Sequence, residues 1–138
     1  MNLEEVYQFL LIPPPTFIGR ELAVCYVLSV LLEGESYGTE LIQRLESEYP
    51  NYRLSDTVLY NALKFLESEK AIASHWEKVL GRGRPRRMYR LNSPWLMHAK
   101  KLAGFWWEYA KSNQSVRAKN TEGQLKILEI NPAGLKQG

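Results

Sequence analysis

A mainly α-helical fold closed by one small β-hairpin is what this sequence predicts. Three observations carry that expectation. Helix-spaced apolar segments follow one another at 20–33, 38–48 and 55–66. The spacing then shortens to strand period on either side of a tip at 80–86 that holds two glycines and a proline. A capped aromatic helix begins at Ser93-Pro94. Periodicity separates helix from strand most directly, and turn residues punctuate the elements.

The first residues already follow this pattern. Leu3, Val6, Tyr7 and Leu10 share a helical spacing, and Pro13-Pro14-Pro15 breaks it by removing donors and restricting the preceding residue. An N-terminal helical arm over 1–15 is expected. Arg20 to Glu33 is apolar nearly all round, as a helix central to a core is, so Cys25 within it reads as a packed thiol. Ser36-Tyr37-Gly38-Thr39 is a turn with capping chemistry, followed by Leu41, Ile42 and Leu45. Tyr49-Pro50-Asn51 closes that helix. Ser55 is a good N-cap for a third, whose buried stripe is Val58, Leu59, Ala62, Leu63 and Leu66.

Strands are expected at Ile72–Val79 and Arg87–Leu91, with Met88 and Arg90 on one face and Arg87, Tyr89 and Leu91 on the other. Ser93 reads as the N-cap of the last helix and Pro94 as its first residue. Trp95, Ala99, Leu102, Trp106 and Tyr109 are then spaced as a heptad seam. The pattern dissolves after Asn113, and disorder is the expectation for 114–138.

Helix, helix, helix, hairpin is the order of a winged helix-turn-helix, here with an N-terminal arm (1–15), a winged domain (16–92) and a C-terminal dimerisation helix (93–113). In that architecture the third helix enters the major groove and the hairpin reaches the backbone or the minor groove. Once the buried stripe is subtracted, Thr57, Tyr60, Asn61 and Lys64 fall on one polar face at i, i+3, i+4 and i+7. Thr57 and Tyr60 can donate to phosphate, Asn61 can pair with adenine, and Lys64 can reach phosphate or guanine.

The charge distribution agrees. The net charge is only +3, but Glu33 to Glu69 holds eight acids and three bases, whereas Lys78 to Trp107 holds eight bases and no acid. Five arginines, Arg82, Arg84, Arg86, Arg87 and Arg90, crowd into Gly81–Arg90. Such a focused cationic segment suits an anionic backbone. Arg82-Gly83-Arg84-Pro85 also matches the core of AT-hook peptides, in which arginines enter a narrow minor groove.

Other classes fit poorly. One cysteine and two histidines give no zinc cluster of the usual ligand count, and a lone cysteine forms no internal disulfide, which suits a reducing cytoplasm. No cofactor is expected. The longest apolar run, Leu22 to Leu32, has 11 positions against the ~20 that a membrane span needs. Glu4 and Glu5 stand where a secretory leader carries basic residues. His75 and His98 have no carboxylate or thiol at catalytic spacing, so an enzyme is not expected. A winged protein-binding adaptor without specific DNA binding is the alternative.

Three stretches resemble the PadR-like family of winged-helix transcriptional regulators. They are Tyr37 to Leu45, with its tyrosine-glycine helix start, Leu54 to Glu67, with the recognition-helix signature, and Gly81 to Leu91, the wing. The resemblance covers roughly Arg20 to Leu91. It implies a cytoplasmic homodimer that binds a palindromic double-stranded operator and represses, with Thr57, Tyr60, Lys64 and the wing arginines as DNA contacts. The candidate DNA-binding set is therefore Tyr37, Ser55, Thr57, Tyr60, Asn61, Lys64, Arg82, Arg84, Arg86 and Arg87. The candidate dimerisation set is Leu3, Tyr7, Leu10, Trp95, Ala99, Leu102, Trp106 and Tyr109. Where the family usually has proline after the tyrosine and glycine after the recognition helix, this chain has Asn61 and Lys70. The chain also resembles circadian members of the family that carry an N-terminal extension, and that resemblance implies repression of a clock gene. The sequence names no small-molecule effector.

Overall fold

The computed structural model describes residues 1–12, 14–78, 81 and 83–129, with only the backbone course given past position 112. The chain divides into two compact units, Thr16–Glu108 and Met1–Pro15 with Tyr109 onward.

In the second unit, α1 (Leu3–Leu11) opens with a capping box: the Glu5 amide donates to Asn2 Oδ1 at 2.8 Å and the Asn2 amide to Glu5 Oε2 at 3.0 Å. None of its residues is buried; Leu3 is 70% exposed and Leu10 64%.

The larger unit is built around α2 (Arg20–Leu31), where Ala23, Val24 and every residue from Tyr26 to Leu31 are buried. The Tyr26 hydroxyl donates to the Leu41 carbonyl at 2.7 Å and so ties this helix to α3 (Gly38–Glu48). Burial pushes both the Tyr26 phenol and the Cys25 thiol up from their ordinary values, for Tyr26 against the opposing charge of Arg44. α4 (Asp56–Ser68) packs on α2 and α3 through Leu59, Ala62, Leu63 and Leu66.

Two small sheets complete the unit. β1 (Thr16–Phe17) and β3 (Tyr52–Arg53) pair in parallel. The other sheet runs β2 (Ser36–Tyr37), β5 (Arg86–Leu91), β4 (Ile72–Glu77), with both contacts antiparallel. The wing sheet therefore has three strands where the sequence suggests a two-stranded hairpin. That explains a departure from simple alternation: β5 is central, and the adjacent Met88 and Tyr89 are both buried. Arg86 lies in the strand opposite Glu77 and not in the tip. β4 ends at Glu77; Val79, its expected end, lies outside the described residues.

After the sheet a 3₁₀ turn, Ser93–Trp95, leads into α5 (Leu96–Glu129). Asn92, not Ser93, occupies the cap position, because the amide of Trp95 donates to the Asn92 carbonyl. α5 runs beyond Asn113 to Glu129, so 114–129 is helical where disorder was expected. Loss of the apolar stripe removes packing but not helix propensity, and this stretch has no proline and no glycine before Gly123. The rest of the expected tail, 130–138, lies outside the described residues.

Trp106 is the largest fully buried side chain of the larger unit. Its ring meets Tyr26, Tyr49 and Tyr52 edge-on, with centroids 5.4, 5.1 and 5.6 Å away. Ala99 is equally inaccessible. Two members of the seam expected from heptad spacing, Ala99 and Trp106, thus fill the chain's own core, while Trp95 and Leu102 are half-buried and Tyr109 is exposed. A spacing rule gives the face of a helix and cannot say whether that face meets its own domain or another copy.

Candidate nucleic-acid interface

α4 is started by Ser55, whose hydroxyl accepts the Val58 amide hydrogen at 3.2 Å. Ser55 is half-buried in this role, so its first task is the cap. The opposite side of the helix carries Thr57, Tyr60, Asn61 and Lys64, all exposed. Lys64 Nζ lies 5.7 Å from the Tyr60 ring centroid, the i, i+4 arrangement that holds a lysine along its helix.

The wing faces this surface. Tyr37 ends β2 and serves as the backbone N-cap of α3; it pairs with Met88 across the sheet. The Arg86 guanidinium stacks 4.1 Å from the Tyr37 ring centroid. Ser36 is fully buried and donates to Glu40 Oε1 at 2.7 Å, which fixes the turn from which Tyr37 projects. A cleft of about 840 Å³ lies between α4, the start of α3 and the wing, and Tyr37, Thr57, Tyr60, Asn61, Arg86 and Arg87 all line it.

Six of the ten expected DNA-contacting residues thus meet at one cleft. Lys64 stands one turn along the same helix face. Arg84 is exposed on the tip, and Arg82 lies outside the described residues. Sequence reasoning missed Trp76 and Tyr89, which also line the cleft. Trp76 is 65% exposed on the wing, and its strand-period spacing from Ser74 was the available signal. Burial raises the Tyr89 phenol, partly offset by the nearby Arg87 charge, so it stays neutral and donating across ordinary pH.

Among the described residues no helix is long and apolar enough to cross a membrane, and no group of His, Cys, Asp or Glu is placed to hold a metal ion.

The cleft between a polar helix face and an arginine-bearing wing is the feature on which comparison with known proteins turns. The profile of the transcriptional regulator PadR-like family matches residues 27–94, the segment that contains both. The crystal structure of the circadian clock associated protein Pex from Anabaena is 56% identical; the match covers 83% of this chain and 99% of that one, with a TM-score of 0.76. This chain belongs to the PadR-like family of transcriptional regulators. Pex from Synechococcus sp. (strain PCC 7942) is 57% identical over 79% of this chain and 97% of its own, with a TM-score of 0.73. A transcriptional regulator from Clostridium thermocellum is more distant, at 26% identity over 70% of this chain and 93% of its own, with a TM-score of 0.55. A search of curated proteins returned no match. The family is one of regulators and not of enzymes, and its winged helix-turn-helix is the fold observed.

Proposed function

We propose that this chain is a cytoplasmic homodimeric repressor that binds a palindromic operator, with α4 in the major groove and the β4–β5 wing along the backbone and minor groove. One observation carries the reading: the exposed face of α4 and the wing arginines border the same cleft. Thr57 and Tyr60 donate to phosphate, Asn61 reads adenine, and Lys64 reaches phosphate or guanine. Arg84 at the tip enters the minor groove, where the potential is most negative. The likeness to a protein described as circadian clock associated supports a clock gene as the target.

Two exposed apolar surfaces support a homodimer. α1 presents Leu3, Tyr7, Phe9 and Leu10, and Ile12 follows at its C-cap. The outer side of α5 presents Met97, Phe105, Trp107 and Tyr109. A monomer exposing several large aromatics on one helix is unusual, and a second copy would cover them.

Footprinting of the DNA upstream of clock genes and of the protein's own gene tests the reading. Two protected half-sites about one helical turn apart are expected. Lys64→Ala should lower affinity about tenfold, within the 1–3 kcal/mol typical of a base-edge contact. Uniform, unphased protection that Lys64→Ala leaves unchanged contradicts it and favours the adaptor.

A further inference from the structure

Of the wing arginines expected to meet DNA, Arg87 is already engaged within the protein. Its Nη2 donates to Glu67 Oε2 at 3.1 Å, and its Nε donates to Ser74 Oγ at 2.9 Å. The Ser74 hydroxyl in turn donates to the same Glu67 oxygen at 3.0 Å. Three groups from three elements close one ring: Glu67 on the last turn of α4, Ser74 on β4, and Arg87 on β5. In the sheet register Ser74 stands opposite Tyr89, and Trp76 opposite Arg87. Side chains two apart share a face of a strand, so Ser74, Trp76, Arg87 and Tyr89 lie on the same face of the wing. The Arg87 guanidinium lies 5.8 Å from both the Trp76 and Tyr89 ring centroids. Glu67 is only 29% exposed, so its charge-assisted bonds are partly shielded from water.

We propose that Glu67 is a positioning residue for DNA binding: through Ser74 and Arg87 it fixes the wing at a set distance from the exposed face of α4, and Arg87 serves this bracket and not a phosphate. The proposal rests on the DNA-binding reading above, but the bracket itself can be read without DNA. It also reverses the sign that electrostatics alone predicts. Removing an acid beside a DNA-binding cleft should strengthen binding, because one like charge is lost. Removing the bracket lets the wing wander and weakens it.

Two measurements on the full chain test this. In hydrogen–deuterium exchange without DNA, Glu67→Ala should speed exchange of the β4 and β5 amides about tenfold and leave the α2 amides unchanged, because local opening is separable from global unfolding. Unchanged wing amides overturn the bracket whether or not DNA is bound. In anisotropy titrations with the upstream duplex, Glu67→Ala and Arg87→Ala should each weaken binding about five- to tenfold, and the double variant no further, as residues of one network couple. Glu67→Gln keeps an acceptor and should recover most of the loss. The salt slope should stay unchanged in Arg87→Ala. Tighter binding by Glu67→Ala, or a slope reduced by about 0.9 in Arg87→Ala, the signature of one lost phosphate contact, overturns the positioning role. A wild-type chain that binds no duplex defeats the DNA reading, while exchange still decides the bracket.

Discussion

Lys70 shows how one residue can carry a strained conformation in a well-formed turn. It follows α4 with φ +62, the left-handed region that favours glycine. The turn is a complete Schellman closure: the Lys70 amide donates to the Glu67 carbonyl at 3.0 Å and the Ala71 amide to the Leu66 carbonyl at 2.9 Å. The Asn92 side chain donates to the Lys70 carbonyl at 2.8 Å and holds the lysine there. The family's usual glycine at this position is thus explained by conformation, and the departure noted in the sequence changes the strain and not the path. Lys70→Gly should raise stability by about 1 kcal/mol, read as a higher urea midpoint with an unchanged slope. Cys25 offers a second residue-scale expectation. Burial disfavours its thiolate, so alkylation by iodoacetamide at pH 8 should run well below the rate of a free thiol and rise only in more alkaline buffer. Reaction at the free-thiol rate contradicts a packed role.

At the scale of elements, α4 and α5 differ in how much of them the sequence revealed. The faces of α4 were legible because helical period is local. Leu59, Ala62, Leu63 and Leu66 are buried and Thr57, Tyr60, Asn61 and Lys64 exposed, as spacing requires, with Val58 of the expected stripe only half-buried at its edge. α5 was legible as a helix but not in its partners. Trp106 needs Tyr26, Tyr49 and Tyr52 around it, and these come from the middle of α2, the C-cap of α3 and a two-residue strand far away in sequence. Trp106→Ala should therefore cost about 3–5 kcal/mol of unfolding free energy, as large buried aromatics do. A substitution that dissociates the protein while leaving that stability intact would restore Trp106 to a seam. The wing was legible from its tip and alternation, but β2 was not. Ser36 and Tyr37 read as a turn, and only their pairing with Tyr89 and Met88, about fifty positions on, makes them a strand. The same long-range pairing hid the Glu67 bracket.

For the whole molecule, the polarised sequence charge becomes a polarised structure. The acids of 33–69 are partly paired within the chain: Arg44 bonds Glu48 at 2.6 Å and also reaches Glu33, and Glu67 holds Arg87. On the wing, by contrast, Arg86 borders the open cleft and Arg84 is exposed on the tip. A cationic surface of this kind binds any duplex weakly at low salt; specificity has to come from α4. Arg84→Ala should accordingly lower affinity for specific and scrambled DNA alike and reduce the salt slope by about 1, whereas Lys64→Ala or Asn61→Ala should erode the difference between them. The exposed apolar surfaces of α1 and α5 predict a dimer mass in sedimentation at micromolar concentration, and a monomer mass there would remove two-fold operator recognition from the account.

The most direct test of sequence-specific recognition through α4 and the wing is fluorescence anisotropy of the full chain against the duplex that footprinting protects and a scrambled one, at two salt concentrations. The account predicts tight binding to the protected duplex alone, weakening steeply with salt and lowered about tenfold in Lys64→Ala. Equal, weak binding to both duplexes, untouched by that substitution, would contradict it.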